Sequence, residues 1–477
     1  MLAIDLGTSR VKAGVVDASL RVRSSASATY PTIATTTGMA EQRCDEWLAS
    51  MRTSVERTIR DAGVNVEAVV LTAQMPTLVA ITRSGDVLGH AVTWQDARAD
   101  ELVTAMFDER TRRRISEISG APIDGRYLIP MHLRRTREER AATATILSAK
   151  DYLYFALTAR LVTDPSTASG YGNYALATRT WSDELSNVWG VDTDALPEVV
   201  DPSFAAPLSE FGATLLPGVR SGTPVFVGAA DSVCAHHFVS SRVGESISII
   251  DGSSTAILAD ATRATPTQPI LITPLVTPER QALEMDLLAT GSSLAWLARL
   301  FAVTNEQFEA LAASRRSPLD DLRFFPYLAG GEQGALWRSD LHGALTGISL
   351  ATTRADFALA LFEGIAFETL RCLRVLEPST DATRIVSLTG ANSLHLGATL
   401  VQALVDQPVI ALAHQSPSML GATLIALDAL GEPRDDKPIT FASFERLDLG
   451  AQTALRARAE AYLALDVTVH DTPRKIT

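Results

Sequence analysis

An α/β protein built from two lobes is what this sequence predicts, and three observations predict it. A strand–turn–strand pattern occurs twice, strand-like and helix-like segments alternate through the first half, and no low-complexity linker divides the chain. The first copy of the pattern is Leu2-Ala3-Ile4-Asp5-Leu6, the turn Gly7-Thr8-Ser9-Arg10, and a return through Val11 to Asp17. The second is Ser248-Ile249-Ile250-Asp251, the turn Gly252-Ser253-Ser254, and Thr255-Ala256-Ile257-Leu258. Each copy runs β-rich residues through a glycine and two hydroxyl residues into more β-rich residues, which reads as a hairpin. Glycine lets backbone N–H groups approach an anion, and Ser or Thr adds donors beside them. One such turn suits ordinary hairpin chemistry equally well. Two in similar context point to a duplicated nucleotide-binding architecture, with a polyphosphate held between two lobes. Asp5 adds weight, because a carboxylate in a buried-looking strand needs a partner or a cation, and Mg²⁺ beside phosphates would supply one. The chain has no G-x-x-x-x-G-K-[ST] segment, which excludes a Walker-type site.

The remaining elements follow in chain order. Trp47, Met51, Val55 and Ile59 recur at four-residue spacing and Gly63 sits where a helix stops. Val69-Val70-Leu71 and Leu78-Val79-Ala80-Ile81 read as strands, the second turning at Ser84-Gly85-Asp86. Asp151 to Leu157 reads as helix, followed by a Ser/Thr/Gly-rich loop from Asp164 to Gly172 and a proline-punctuated connection from Pro197 to Pro224. Pro224-Val225-Phe226-Val227-Gly228 is a short buried-type strand with Asp231 just beyond it. Thr353 with Asp356 forms a capping box before a helix marked by Phe362, Ala366, Leu370 and Leu373, which Pro378 ends. Ile385-Val386-Ser387-Leu388 is a strand, and Gly421-Ala422-Thr423 belongs to a late small-residue helix. The lobe boundary is expected near residues 225–245, giving lobes of 1–235 and 236–477.

Bulk properties exclude several function classes. With 477 residues, 46% hydrophobic and 20% charged, the chain has the composition of a globular protein of two or three domains. A net charge of −13 argues against general nucleic-acid binding, which needs a basic face. The basic runs Arg110–Arg114 and Arg134-Arg135 are flanked by acids and read as solvated helix faces. No apolar run approaches the ~20 residues that cross a bilayer, and the N-terminus lacks signal-peptide order. Membrane partners are therefore not expected. Cys44, Cys234 and Cys372 match no metal spacing, consistent with reduced thiols in the cytoplasm. His236 and His237 point about 100° apart on a helix, so a shared metal is not expected.

Eight segments in one order carry a resemblance to a known family. They are Ile4-Asp5-Leu6-Gly7-Thr8-Ser9, Thr72-Ala73-Gln74-Met75, Trp94-Gln95-Asp96-Ala97-Arg98, Lys150-Asp151-Tyr152-Leu153, Asp164-Pro165-Ser166-Thr167-Ala168-Ser169, Gly228-Ala229-Ala230-Asp231, Gly252-Ser253-Ser254 and Glu363-Gly364-Ile365-Ala366-Phe367. The chain resembles the FGGY carbohydrate kinases, xylulokinase-like members above all, within the actin-like, ribonuclease-H-like ATPase superfamily. The resemblance implies an α/β fold of two actin-like lobes with a central cleft, and transfer of the γ-phosphoryl group of ATP to a sugar hydroxyl with Mg²⁺. Phosphoryl transfer asks a protein for positioning, charge neutralisation and a base.

The resemblance implies that base to be Asp231, which a helix N-cap role would explain equally well from the residues alone. It implies Asp5 at Mg²⁺. Gly7, Thr8, Ser9, Gly252, Ser253 and Ser254 would lie at the phosphates, with Gly390, Ala391 and Asn392 at the adenosine. Gln74, Met75, Pro76, Trp94 and Asp96 would lie, with Asp231, at the sugar. Trp94 as a core aromatic is an equal alternative. Three positions depart from the family pattern. Pro76 replaces a histidine, Thr389-Gly390-Ala391-Asn392 is a short adenosine turn, and Gln333 follows Gly330-Gly331-Glu332 where many members carry Arg. A ketose, D-xylulose first, is the expected acceptor, with other ketoses, polyols and gluconate open, and a homodimer is compatible. A chaperone or filament ATPase would lack the Gln74, Trp94-x-Asp96-x-Arg98 and Asp231 set. A silent sugar-binding module would not need Asp5, both turns and Asp231 together.

Overall fold

The computed structural model describes residues 1–36, 38–261, 270–315, 321–376, 384–390, 394–412, 416–432 and 441–465. The chain forms two compact units. One comprises Met1–Arg242, Leu271–Ala282 and Ser416–Pro438, and the other Val243–Ile270, Leu283–Gln415 and Ile439–Thr477. A single cut in the chain therefore does not separate them.

The first unit is built on a six-stranded sheet in the order Ala205–Pro207, Pro224–Ala230, Val69–Ala73, Leu2–Leu6, Arg10–Val16, Val22–Thr29. Leu2–Leu6 pairs antiparallel with Arg10–Val16 and parallel with Val69–Ala73. The central strands are buried on both faces and apolar apart from Asp5 and Thr72, as strands covered on both sides require. One cover is the helix Cys44–Ala62, whose Trp47, Met51 and Val55 join Leu2, Ile4, Val69 and Leu71 in one core. It ends at Gly63 in the left-handed region (φ 62°), its N–H closing on the Ile59 carbonyl. The late helix Pro417–Leu430 packs on the strands Leu2–Leu6, Val69–Ala73 and Pro224–Ala230. Gly421 lets it come close to the helix Asp231–Val243 as well, because a Cβ there would sit 1.7 Å from the Cys234 carbonyl oxygen. A smaller sheet in the order Glu41–Gln42, Ala91–Thr93, Thr77–Ile81, Thr145–Ser148 completes the unit.

The second unit repeats the core arrangement. Ser246–Asp251 pairs antiparallel with Thr255–Ala261 and parallel with Ile385–Gly390, which pairs parallel with Val409–Ala411. Its long helix, Arg354–Leu376, starts at the expected capping box, with the Thr353 N–H donating to Asp356 Oδ2 (2.7 Å) and the Asp356 N–H to Thr353 Oγ1 (3.3 Å). Pro378 lies outside the described residues.

One expected loop is a helix. Pro165–Ser169 is helical, with Asp164 at its N-cap accepting from the N–H groups of Ser166 and Thr167. Asp at the N-cap followed by Pro at the first helical position is a strong start signal, and it outweighs the loop-like composition of the segment. Arg110–Arg114 lies on the helix Glu109–Ser119, and Arg114 pairs with Glu184 and Glu117 at an exposed surface. Among the described residues no helix is long and apolar enough to cross a membrane.

Candidate active site

The turn after Leu6 is held from three directions within its own unit. The Gly7 N–H donates to the Arg10 carbonyl (3.1 Å) and closes the turn. Gln42 Nε2 donates to the Thr8 carbonyl (2.8 Å), and Trp94 Nε1 to Thr8 Oγ1 (3.3 Å). The Tyr30 hydroxyl donates to the Gly7 carbonyl. A Cβ on Gly7 would meet only the Arg10 carbonyl oxygen, at 3.6 Å, so the space above this turn is open. Gly7 and Thr8 are half-buried and Ser9 is exposed. Below them Asp5 is only 3% exposed. It stands directly opposite Lys12 in the antiparallel register, which puts both side chains on one face. Lys12 Nζ lies 3.8 Å from Asp5 Oδ2, and Ser418 Oγ donates to the same oxygen (2.8 Å).

Asp231 is the first residue of the helix Asp231–Val243 and follows the strand Pro224–Ala230 directly. That strand carries a bulge. Phe226 pairs with Val70 and Ala229 with Thr72, so Val227 and Gly228 together oppose Leu71. Only glycine fits position 228, which has φ +65° and where a Cβ would sit 1.9 Å from the Leu71 carbonyl oxygen. The bulge re-aims the strand end that carries Asp231. Asp231 Oδ1 accepts from the Ser232 N–H (2.9 Å). Burial first, then the charges of Asp5 and Asp231, push the Tyr30 phenol's pKa up, so one tyrosine senses both carboxylates.

The expected sugar-side residues have distinct settings. Gln74 is buried; its Nε2 donates to Gln42 Oε1 (3.1 Å), and its own Oε1 has no hydrogen-bond partner among the described residues. Met75 and Pro76 are half-buried and lie over Gly170, where a Cβ would come within 2.7 Å of Met75 Cε and 3.4 Å of Pro76 Cβ and Cγ. Trp94 is packed, as a core aromatic is, and its Nε1 also ties down the Gly7 turn. Asp96 is 2% exposed, and its carboxylate accepts from the Ala40 N–H (2.9 Å) and from Arg98 Nε (2.8 and 2.9 Å). Arg98 also holds Glu41. Asp96 thus orders the strand ahead of Gln42.

In the second unit the Gly252 N–H donates to the Ser254 carbonyl (2.8 Å), and the Ser253 carbonyl accepts from the N–H and the hydroxyl of Ser292 (3.0 and 2.9 Å). Thr255 Oγ1 donates to Asp251 Oδ1 (2.8 Å) and lies 2.8 Å from Thr290 Oγ1. The turn therefore sits on the first turn of the helix Gly291–Leu300. Gly252, Ser253 and Ser254 are half-buried. Gly390 crosses Asp251 closely: a Cβ there, at φ +130°, would lie 2.0 Å from the Asp251 carbonyl oxygen. Asp251, Gly252, Thr290, Gly291, Phe362 and Leu388 line a small pocket beside this turn. Ala391 and Asn392 lie outside the described residues.

Comparison with known proteins decides the family. The N-terminal domain model of the FGGY family of carbohydrate kinases matches residues 1–237, and its C-terminal domain model matches residues 247–430. The chain belongs to the FGGY family of carbohydrate kinases. It is an ATP-dependent carbohydrate kinase. A xylulose kinase of Bacillus subtilis strain 168 is 25% identical over 97% of this chain and 92% of its own length. A gluconokinase of the same organism is 23% identical over 91% and 88%. The crystal structure of ligand-bound xylulose kinase from Lactobacillus acidophilus superposes with a TM-score of 0.85 at 22% identity, covering 98% of this chain and 99% of that one. The α/β fold with two lobes is shared with such kinases.

The kinase's residues fit a magnesium nucleotide in a specific way. Among the described residues no group of three His, Cys, Asp or Glu side chains can hold a metal alone. One strand carboxylate beside an open glycine turn is a different kind of site. It suits Mg²⁺, which keeps several waters and takes few protein ligands together with phosphate oxygens. Sequence reasoning missed Gln42, Tyr30 and Ser418. Each is a single polar residue without a motif or a period, so no local signal marks it.

Proposed function

We propose that this kinase transfers the γ-phosphoryl group of ATP to a hydroxyl of a ketose, D-xylulose first among them, with Asp231 as general base. The observation that carries the reading is Asp231 at the end of a bulged strand, in electrostatic reach of a tyrosine that also holds the Gly7 turn and senses Asp5. Asp231 accepts the proton of the acceptor hydroxyl as that oxygen forms its bond to phosphorus, and ADP leaves with the electrons of the broken P–O bond. Asp5 holds Mg²⁺, directly or through water. The backbone and hydroxyls of Gly7, Thr8 and Ser9 in the first unit, and of Gly252, Ser253 and Ser254 in the second, bind phosphate oxygens. Gly390, Ala391 and Asn392 approach the adenosine. Gln74, Met75, Pro76 and Trp94 form the sugar wall, and the unpartnered Gln74 Oε1 supplies an acceptor for a sugar hydroxyl. Residues 1–235 act as the acceptor lobe and 236–477 as the nucleotide lobe, except that the helix Pro417–Leu430 belongs to the first compact unit, where Ser418 donates to Asp5. Cytoplasmic residence fits three buried, unpaired cysteines.

Similarity to xylulose kinases and the Gln74-Met75 pair support ketose over aldonate. Gluconate is the second reading, favoured by the gluconokinase similarity. Acceptor-dependent ADP release measured over D-xylulose, other ketoses, polyols and gluconate tests both. D-Xylulose is expected to give the highest kcat/KM, preference for gluconate would replace the ketose reading, and no acceptor-dependent release would defeat the assignment.

A further inference from the structure

Beneath Asp231 lies a buried chain of polar groups that the transfer step itself does not use. Lys150, Asp164 and Ser166 are 1%, 0% and 2% exposed. Lys150 Nζ stands 2.9 Å from Asp164 Oδ1 and 3.5 Å from Asp151 Oδ1. The other oxygen, Asp164 Oδ2, accepts from the Ser166 hydroxyl (2.5 Å) and the Ser166 N–H (2.9 Å). Ser166 Oγ in turn accepts from the N–H of Ala230 (3.0 Å), the residue immediately before Asp231. We propose that Lys150, Asp164 and Ser166 are positioning residues for the catalytic carboxylate, setting the direction in which Asp231 leaves its strand. The proposal rests on the reading of Asp231 as the base.

The strand needs such a support at this point. Its outer neighbour, Ala205–Pro207, pairs only with Pro224, Val225 and Phe226. The bulge at Val227-Gly228 then shifts the register on the other side. Beyond it the Ala230 N–H has no strand partner on the outer side, and an unpaired buried N–H is costly. Ser166 supplies the acceptor. A lone serine would be a poor guide, because its hydroxyl rotates to suit its surroundings. Here the proton is committed to Asp164, which leaves a lone pair directed at Ala230. Asp164 has the Lys150 side chain beside it in this dry interior, 2.9 Å away. On the opposite side Thr72 Oγ1 donates to the Ala229 carbonyl (2.9 Å), so both faces of the strand end are clamped by hydroxyls. Two motifs far apart in sequence, Lys150-Asp151-Tyr152-Leu153 and Asp164-Pro165-Ser166, thereby acquire one shared task.

The test is steady-state kinetics on Ser166→Ala, with the best acceptor of the panel (D-xylulose on our reading), beside Asp231→Asn. A base displaced by a fraction of an ångström costs turnover far more than binding, so kcat is expected to fall about 10- to 100-fold with both KM values within about threefold. Ser166→Thr, which keeps the hydroxyl, is expected to recover at least half of the lost kcat on a logarithmic scale. A folded Ser166→Ala enzyme with parental kcat overturns the proposal, as does a loss of kcat that Ser166→Thr does not reverse. If Ser166→Ala does not fold, Ser166→Cys, of similar volume and with a weaker hydrogen-bonding group, takes its place under the same two criteria. Parental turnover in Asp231→Asn would instead remove the base assignment on which the proposal stands. Loss there with parental Ser166→Ala removes only the positioning role.

Discussion

The two hairpins share a grammar and differ by one residue in where they carry acid. In the first, the carboxylate stands two positions before the turn glycine, Asp5 before Gly7; in the second it stands one position before, Asp251 before Gly252. Strand side chains alternate between faces, so this single step sends the two carboxylates to opposite sides of their sheets. Asp5 faces Lys12 across the ladder and also meets Ser418. Asp251 faces Thr255, and its carboxylate accepts that hydroxyl. The turns differ as well: Gly7 closes on Arg10, whereas Gly252 closes on Ser254, one residue sooner. The first turn is suspended by side chains from Gln42, Tyr30 and Trp94, the second rests on backbone and hydroxyl groups at the start of a helix. A repeated motif thus carries its acid beside Lys12 and Ser418 in one copy and beside Thr255 in the other, with the two turns held by different kinds of group.

The strongest way to break that division is Asp231→Asn. The amide keeps the shape but cannot take a proton, and loss of a positioned base costs about 10²–10⁴-fold in kcat. MgATP binding by calorimetry is expected to stay near parental. Turnover close to parental in the folded variant would place the base elsewhere.

The next effect separates the two hairpins directly. Asp5→Asn is expected to move the Mg²⁺ titration of activity to higher metal by about tenfold or more, since Mg²⁺ draws on few protein carboxylates. Asp251→Asn weakens one hydrogen bond worth about 1 kcal/mol and is expected to leave the titration in place. Coincident magnesium curves for the two variants would show that the one-residue offset carries no functional meaning.

Buried acids sharpen the comparison on the stability side. In the first unit Asp164 has Lys150; burial works to lower that ammonium's pKa, but Asp164 and Asp151 outweigh it and the net shift is upward. In the second unit Glu332 has no such cation among the described residues. Burial, then the charge of Glu368, push its carboxyl up to about 7, against the N–H groups of Trp337, Leu336 and Gly334, which pull it down. A carboxyl whose folded pKa lies above the unfolded value holds extra protons in the folded state. Its stabilisation is complete below about pH 4.5 and is lost as pH rises through 7, on the order of 3 kcal/mol in all. The buried imidazole of His132 works in the opposite sense: burial, then Arg135, lower its pKa to about 4, so it adds stability as pH rises from 4 to 6.5. The clean measurement is therefore the difference between parent and Glu332→Gln in melting temperature from pH 5 to 8. The parent is expected to lose several degrees relative to the variant across that range, and parallel curves would show that Glu332 is ionised throughout.

The smallest expected effect concerns the sugar wall. Pro76 offers no side-chain hydrogen bond and no N–H, and walls without polar groups discriminate weakly. Pro76→His is expected to reorder the acceptors by kcat/KM, by about tenfold at most, while the KM for ATP stays unchanged. An unchanged ranking would place Pro76 outside the pocket.

Much of this molecule is legible in the sequence. The helix Cys44–Ala62 with its Gly63 stop, the capping box at Thr353 and Asp356, and both hairpins follow from signals written within a few residues, because period, caps and turn chemistry are local. The placement of Asp231 after a small-residue strand was legible too, and the eight ordered segments named the family. The segment after Asp164 has a loop's composition and is a helix, because an Asp cap and a following proline outweigh composition.

The sequence by itself determined the duplicated hairpin, the helices with clear caps and the residue types available for phosphoryl transfer. Tertiary structure alone decided which polar residues hold them. Ser418 reaches Asp5 across 413 positions, Ser166 reaches Ala230 across 64, and Gln42 joins Thr8 across 34. It also decided that Asp96 is clamped by Arg98 and Ala40, and that Gly228 and Gly421 serve close approach to the Leu71 and Cys234 carbonyls. The physical reason is that a buried polar group is specified by the partner it meets after folding. Periodicity records only which face a residue shows, and carries no information about that partner.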